Sequence, residues 1–249
     1  AEVTFTFTGH HTMFRFPAVA HGQPQAFTEA ADMDSVVVLS GTFLGNEARN
    51  YYGDSIGDSL NLVWRCLLGG GKTIVTKEKG TEEWFGAGWT GQPLLVQENE
   101  KLFIIQGCYD HHLKKINAST GEIIWQYTYD DILKGTGTIW KNEKATVPEN
   151  RFVILQGSRF GYGKSSNAEE IYSYRAVSYL TGKELWRMNV KRGPSYSRDV
   201  DASALVINDT AYIGLENASF VAFDPANPEQ HEQNDSGCRP HIHYELPLY

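Results

Sequence analysis

The chain has 249 residues, a formal net charge of −8, 41% hydrophobic and 12% aromatic residues, and 24 glycines. That length can bury a sizeable core, and the composition suits many short strands joined by turns. The acidic balance excludes a general nucleic-acid binder, which needs clustered Lys and Arg, and no apolar run reaches the eighteen or so residues of a membrane helix.

In chain order, residues 1–27 open with Val3–Thr8 (VTFTFT), whose strict alternation predicts a strand, followed by a Gly- and Pro-punctuated surface stretch. The opening AEVTFTFTG has no basic or apolar leader, as in a processed mature chain. Ser35–Gly41 (SVVVLSG) predicts a buried strand, Gly45–Ser59 a polar loop, and Leu60–Leu68 a strand carrying Trp64. Lys72–Gly80 is the most basic stretch, but TEEW follows at once, so a solvated hairpin is expected. An inner strand is expected at Gln92–Val96, then two strands and a tight turn across Leu102–Trp125. Phe152–Gly157 and Ala176–Trp186 repeat that arrangement, separated by a Gly- and Ser-rich insertion. Three further strands are expected between Val200 and Phe223.

The repeat has a period. Thr120-Gly121 and Thr181-Gly182 are 61 residues apart, Trp125 and Trp186 are too, and Trp64 precedes Trp125 by the same distance. A fixed period with short β segments marks propeller blades, and the turn Gly supplies the positive φ that other residues avoid. One large indole per repeat is suited to locking neighbouring sheets together.

Lys115–Trp125 (KINASTGEIIW) and Ala176–Trp186 (AVSYLTGKELW) resemble the Ala-x-Asp-x-x-Thr-Gly-x-x-x-Trp motif of PQQ-like (quinoprotein-type) β-propeller repeats. Asn117 stands where Asp is usual. A third copy starts at Ala222 (AFDPAN) but lacks the Thr-Gly, and Glu232 stands where its tryptophan should be. The resemblance implies an all-β fold of four-stranded antiparallel blades: one region over 1–249, with repeat blades over 28–223 and an irregular tail over 224–249 entering a further blade. About four blades are expected, as part of a seven- or eight-bladed ring. The ring would be completed by a second polypeptide, missing C-terminal blades or another copy. The resemblance also implies export, hence a secreted or periplasmic location.

Chemistry is thinly marked. His241 and His243 would share one face of a strand near Cys238, and Asp54 and Asp58 could supply oxygens to a calcium ion. Tyr109–His112 (YDHH) reads as a turn in which Asp110 accepts backbone N–H bonds. Leu67–Thr73 (LLGGGKT) lacks the first Gly of a phosphate loop. Cys66, Cys108 and Cys238 allow one disulfide or three thiols, and a Cys66–Cys108 bridge is one option. Quinoprotein dehydrogenases of the resembled type hold PQQ and calcium with a carboxylate base, a role for which Asp199 and Asp201 are the available residues. No catalytic residue and no cofactor is expected. The expected function is non-catalytic binding or scaffolding, with a portion of a quinoprotein dehydrogenase, or an envelope assembly factor, as alternatives.

Overall fold

A computed structural model describes residues 35–51, 61–76, 79–88, 90–195, 197–230 and 238–249. In chain order the strands are β1 (Val36–Ser40), β2 (Gly70–Thr76), β3 (Gly80–Phe85), β4 (Leu94–Glu98), β5 (Lys101–Gly107), β6 (His112–Asn117) and β7 (Ile123–Thr128). There follow β8 (Thr138–Lys141), β9 (Phe152–Gly157), β10 (Tyr174–Ser178), β11 (Glu184–Met188), β12 (Leu205–Ile207), β13 (Thr210–Leu215), β14 (Ser219–Gln230) and β15 (Cys238–Pro247). The chain is all-β, and its sheets are antiparallel meanders. Sheet I is β4-β5-β6-β7 with β1 added beside β4, sheet II is β8-β9-β10-β11, sheet III is β12-β13-β14-β15, and β2-β3 is a separate hairpin.

Period-2 alternation decides how the sheets stack. On β9, Phe152 and Ile154 face the core shared with sheet I, while Val153 and Leu155 face the core shared with sheet III. All six residues of β9 and all five of β10 are buried, so sheet II is covered on both faces. Such strands read as continuous apolar runs, as FVILQG does.

The repeat motif fixes the spacing between sheets. Trp64 Nε1 donates to Ala118 O at 2.6 Å, Trp125 Nε1 to Tyr179 O at 3.0 Å, and Trp186 Nε1 to Pro225 O at 2.9 Å. Ala118, Tyr179 and Pro225 each lie three residues beyond the start of a motif copy, at Lys115, Ala176 and Ala222. The side chain two residues into each copy shapes the turn: Asn117 Oδ1 accepts from Ser119 N, Ser178 Oγ from Thr181 N, and Asp224 Oδ1 from Ala226 N. Gly121 and Gly182 have φ of 76° and 69°. A Cβ on Gly121 would lie 2.6 Å from the Trp64 ring, and one on Gly182 2.8 Å from the Trp125 ring. Glycine is therefore required twice over, for its dihedral and for the indole seated on it.

Several expectations change. Residues 61–69 form no strand: Leu62, Val63 and Leu67 are exposed, and Trp64 ties this segment to sheet I. The expected four blades are, among the described residues, one five-stranded sheet, two four-stranded sheets and a two-stranded hairpin. The inner strand begins at Leu94 rather than Gln92, and β1 pairs with it. Nor is 224–249 an irregular tail. Pro228 occupies the turn-glycine position and cannot adopt positive φ, so β14 runs on to Gln230 through a shift of register, and β15 pairs back along it. Sheet III thereby has its outer strand. Val3–Thr8 lies outside the described residues.

The interlock makes a graded prediction. Trp125→Ala should cost roughly 3–5 kcal/mol, and Trp64→Ala, whose indole is only partly buried, roughly 1–2 kcal/mol, read from urea midpoints. Equal losses at the two positions would contradict the interlock.

Candidate functional site

The Thr-Gly turns close β6–β7 and β10–β11 at one end of the sheets. The opposite end gathers the connections 108–111, 129–137, 158–173, 189–204 and 216–218. The hairpin β2–β3 is fastened there: Tyr109 N donates to Gly86 O at 2.8 Å, His111 Nε2 meets Lys72 O at 2.9 Å, and Arg159 donates to Thr73 Oγ1 and Ile74 O.

This loop end is where many ionisable groups collect, and Arg159, Lys134, Asp199 and Asp201 form ion pairs there. Arg159 Nε donates to Asp199 Oδ2 at 2.9 Å, and Phe160 N to its Oδ1 at 3.1 Å. Lys134 Nζ lies 3.4 Å from Asp199 Oδ2 and 2.8 Å from Asp201 Oδ2. Burial pushes the Lys134 ammonium down, but its bond to Asp201 and the charges of Asp199 and Asp201 outweigh this, and its pKa rises. Burial pushes the exposed-edge Glu216 carboxyl up; Ser197, which hydrogen-bonds it, opposes this, and the charges of Asp201 and Asp199 add to it. Asp131 also sits above the usual carboxylate range because it is buried, although Ile132 N and Gly161 N donate to it.

A second pairing lies beneath the YDHH segment. His112 N donates to Asp110 Oδ1 at 3.3 Å, and Lys114 Nζ reaches Asp110 Oδ2 at 2.5 Å. The Lys114 side chain is 2% exposed, so its charge needs that carboxylate. Burial pushes the Asp110 carboxyl up, and the bonds from His112 and Lys114 more than reverse it, holding its pKa low. Nearby Cys108 is buried and its thiol is pushed up to about 12, far from a reactive thiolate. Cys66, Cys108 and Cys238 are all free.

The metal candidates are not assembled into a site. His241 and His243 are exposed on β15 with ring centroids 5.2 Å apart. Among the described residues no group of three or more His, Cys, Asp or Glu could hold a metal ion. Asp54 and Asp58 lie outside the described residues. Of the two carboxylates named for a PQQ-calcium centre, Asp199 is held by Arg159 and Lys134, and Asp201 by Lys134 through Oδ2 alone, its Oδ1 being buried without a hydrogen-bond partner.

One feature escaped the sequence pattern. Trp125 pairs across the strands with Lys115 and Trp186 with Ala176, each followed by a shift of register. In sheet III the residue opposite Ala222, again beside a register shift, is Tyr244. It holds the place of the interlocking tryptophan, on the face turned away from sheet II. Cross-strand partners share a face, so Tyr212, Phe220 and Leu246 join it there. Tyr212 and Phe220 stack at 6.2 Å, while Tyr244 is 43% and Leu246 50% exposed. The signal was hidden because the long β14–β15 connection places this aromatic 22 residues after Ala222, where Trp125 and Trp186 each lie 10 residues after the start of their motif copies.

Acid should probe the pairing. The Asp110 and Asp130 carboxyls are held below their ordinary pKa, so their stabilisation is present above the unfolded value of about 3.9 and lost as pH falls through the folded values. The urea midpoint should fall from about pH 5 to 2, and Asp110→Asn should flatten that fall while lowering the neutral plateau. Parallel curves for the two proteins would contradict this.

A scan against protein-family models found no match, and no curated protein matches. Among solved structures, the chain is similar to BamB from Moraxella catarrhalis, at 16% identity and a TM-score of 0.31, covering 59% of this chain and 44% of that one. It is also similar to a europium-containing methanol dehydrogenase, at 18% identity and a TM-score of 0.34, covering 65% of this chain and 26% of that one. The chain thus spans less than half the length of either. The antiparallel meanders, with an indole bond from one to the next, have the form of β-propeller blades.

Proposed function

We propose that this chain is a non-catalytic binding or scaffolding module, secreted or periplasmic, that is incomplete until a further blade covers sheet III. The observation that carries the reading is Tyr244, an aromatic at the place of the interlocking indoles that is 43% exposed among the described residues, set among Tyr212, Phe220 and Leu246. In sheets I and II the equivalent indoles are 9% and 0% exposed. An apolar sheet face of this kind is normally covered. A second polypeptide, further blades or another copy would each supply the cover.

Non-catalysis is supported by Asp199 and Asp201, which are bound to Arg159 and Lys134, and by the buried Cys108 thiol, which is held protonated. Catalytic groups need a poised, unspent pKa. We also propose that the chain carries no resident quinone. Added PQQ and calcium should give no stoichiometric absorption band and no dye-linked alcohol oxidation; either result would overturn the non-catalytic reading.

The open face has its own test. The 249-residue chain should bind a hydrophobic dye and associate as its concentration rises. The double substitution Tyr244→Glu, Leu246→Glu should suppress both by about tenfold, with an unchanged far-ultraviolet dichroism spectrum. A monodisperse monomer indifferent to the substitutions would overturn the proposal.

A further inference from the structure

Arg198 is the most unusual charge in the molecule. Its residue is 1% exposed, and its guanidinium is held by neutral acceptors. Nε donates to Val190 O at 2.6 Å, and Nη1 to Ala168 O at 2.5 Å and Ser166 O at 3.3 Å. Nη2 donates to Glu169 O at 3.4 Å and Asn189 Oδ1 at 3.3 Å. Arg175 and Arg159, the other deeply placed guanidiniums of the loop end, both have carboxylate partners. Among the described residues Arg198 has none. Carbonyl dipoles satisfy its protons but leave a net positive charge with no counter-ion, which buried charges usually require.

That charge borders a cavity of about 210 Å³ between the 158–173 insertion and the connection after β11. Its walls are Ser166, Asn167, Arg192, Gly193, Ser195 and Arg198, with Pro194 between. Its lining residues include two arginines, two serines and an asparagine, and none carries a carboxylate. The nearest acidic side chains in the loop point elsewhere: Glu170 is paired with Arg239 at 2.6 Å, and Glu169 is exposed and not part of the wall. Burial depresses the Arg198 pKa, and the like charge of the second guanidinium, Arg192, adds to this. In a chain of net charge −8, a cavity with this lining is a local inversion of sign. At about 30 Å³ per water it holds roughly seven waters, room for a tetrahedral oxyanion with part of its hydration.

We propose that this cavity binds a doubly charged tetrahedral oxyanion of the phosphate or sulfate class. Arg192 and the Ser166, Asn167 and Ser195 side chains donate to its oxygens, and Arg198 supplies a fixed positive charge behind it. Planar guanidinium is well matched to such oxygens, and the buried charge is set in place by five hydrogen bonds before the anion arrives. The site is independent of whether a further blade covers sheet III, because it lies on sheet II's connections.

Calorimetric titration of the whole chain with inorganic phosphate, and separately with sulfate, should show saturable binding of one anion. Acetate and chloride at matched ionic strength should not compete. Arg192→Gln should weaken binding by about tenfold or more while leaving the urea midpoint without phosphate unchanged. Ser195→Ala should weaken it less. Arg198→Lys is a poorer test, since its loss disrupts the two connections it ties together. No saturation up to about 10 mM of either anion, or equal binding by Arg192→Gln, would overturn the proposal.

Discussion

The structure depends on one contact made three times: an indole seated on the turn of the next sheet, its N–H donated to a carbonyl three residues into the motif. Each part of the motif serves that contact. A short side chain two residues in shapes the turn, and a glycine further on takes positive φ and leaves no Cβ beneath the ring. The indole buries a large area and satisfies its only donor at once. At Gly121 and Gly182 a Cβ would meet the ring, whereas the third copy has Pro228 there and Trp186 still donates to Pro225 O. Sheet spacing is thus set by side chains about 54 residues apart in sequence rather than by strand pairing.

Much of this was legible in the sequence because Thr120-Gly121, Thr181-Gly182 and the three tryptophans keep one period. A period is visible only while loop lengths are constant. The connection between β9 and β10 runs from 158 to 173, that between β5 and β6 from 108 to 111, and that between β13 and β14 from 216 to 218. The third motif copy therefore follows the second by 46 residues instead of 61. Pro225 accepts an indole bond that no pattern would assign to it. Tyr244 was obscured for the same reason, since strand register, not sequence spacing, places it opposite Ala222. Residues 61–69 misled in the opposite direction: an apolar run around Trp64 looked like a strand but forms none, and its indole is bonded to Ala118 O.

The charged residues were visible as letters and opaque as partners. Asp199 and Asp201 sit 65 and 67 residues from Lys134, and neither spacing nor alternation brings them together. Only the folding of connections 129–137 and 189–204 onto one end does so. Arg198, beside them in sequence, turns the other way into carbonyls of the insertion. Neighbouring residues thus serve opposite electrostatic purposes, one closing a neutral network and the other leaving a charge unbalanced.

Sheet II has no face in water, and that affects how the molecule comes apart. Sheets that touch only their neighbours behave as a short one-dimensional array, in which the middle member is held by two interfaces and each end by one. Amide protons of β9 and β10, buried on both sides, should therefore exchange only through global opening, while those of β12 and β15 exchange by local fraying. The middle of the chain is its slowest clock.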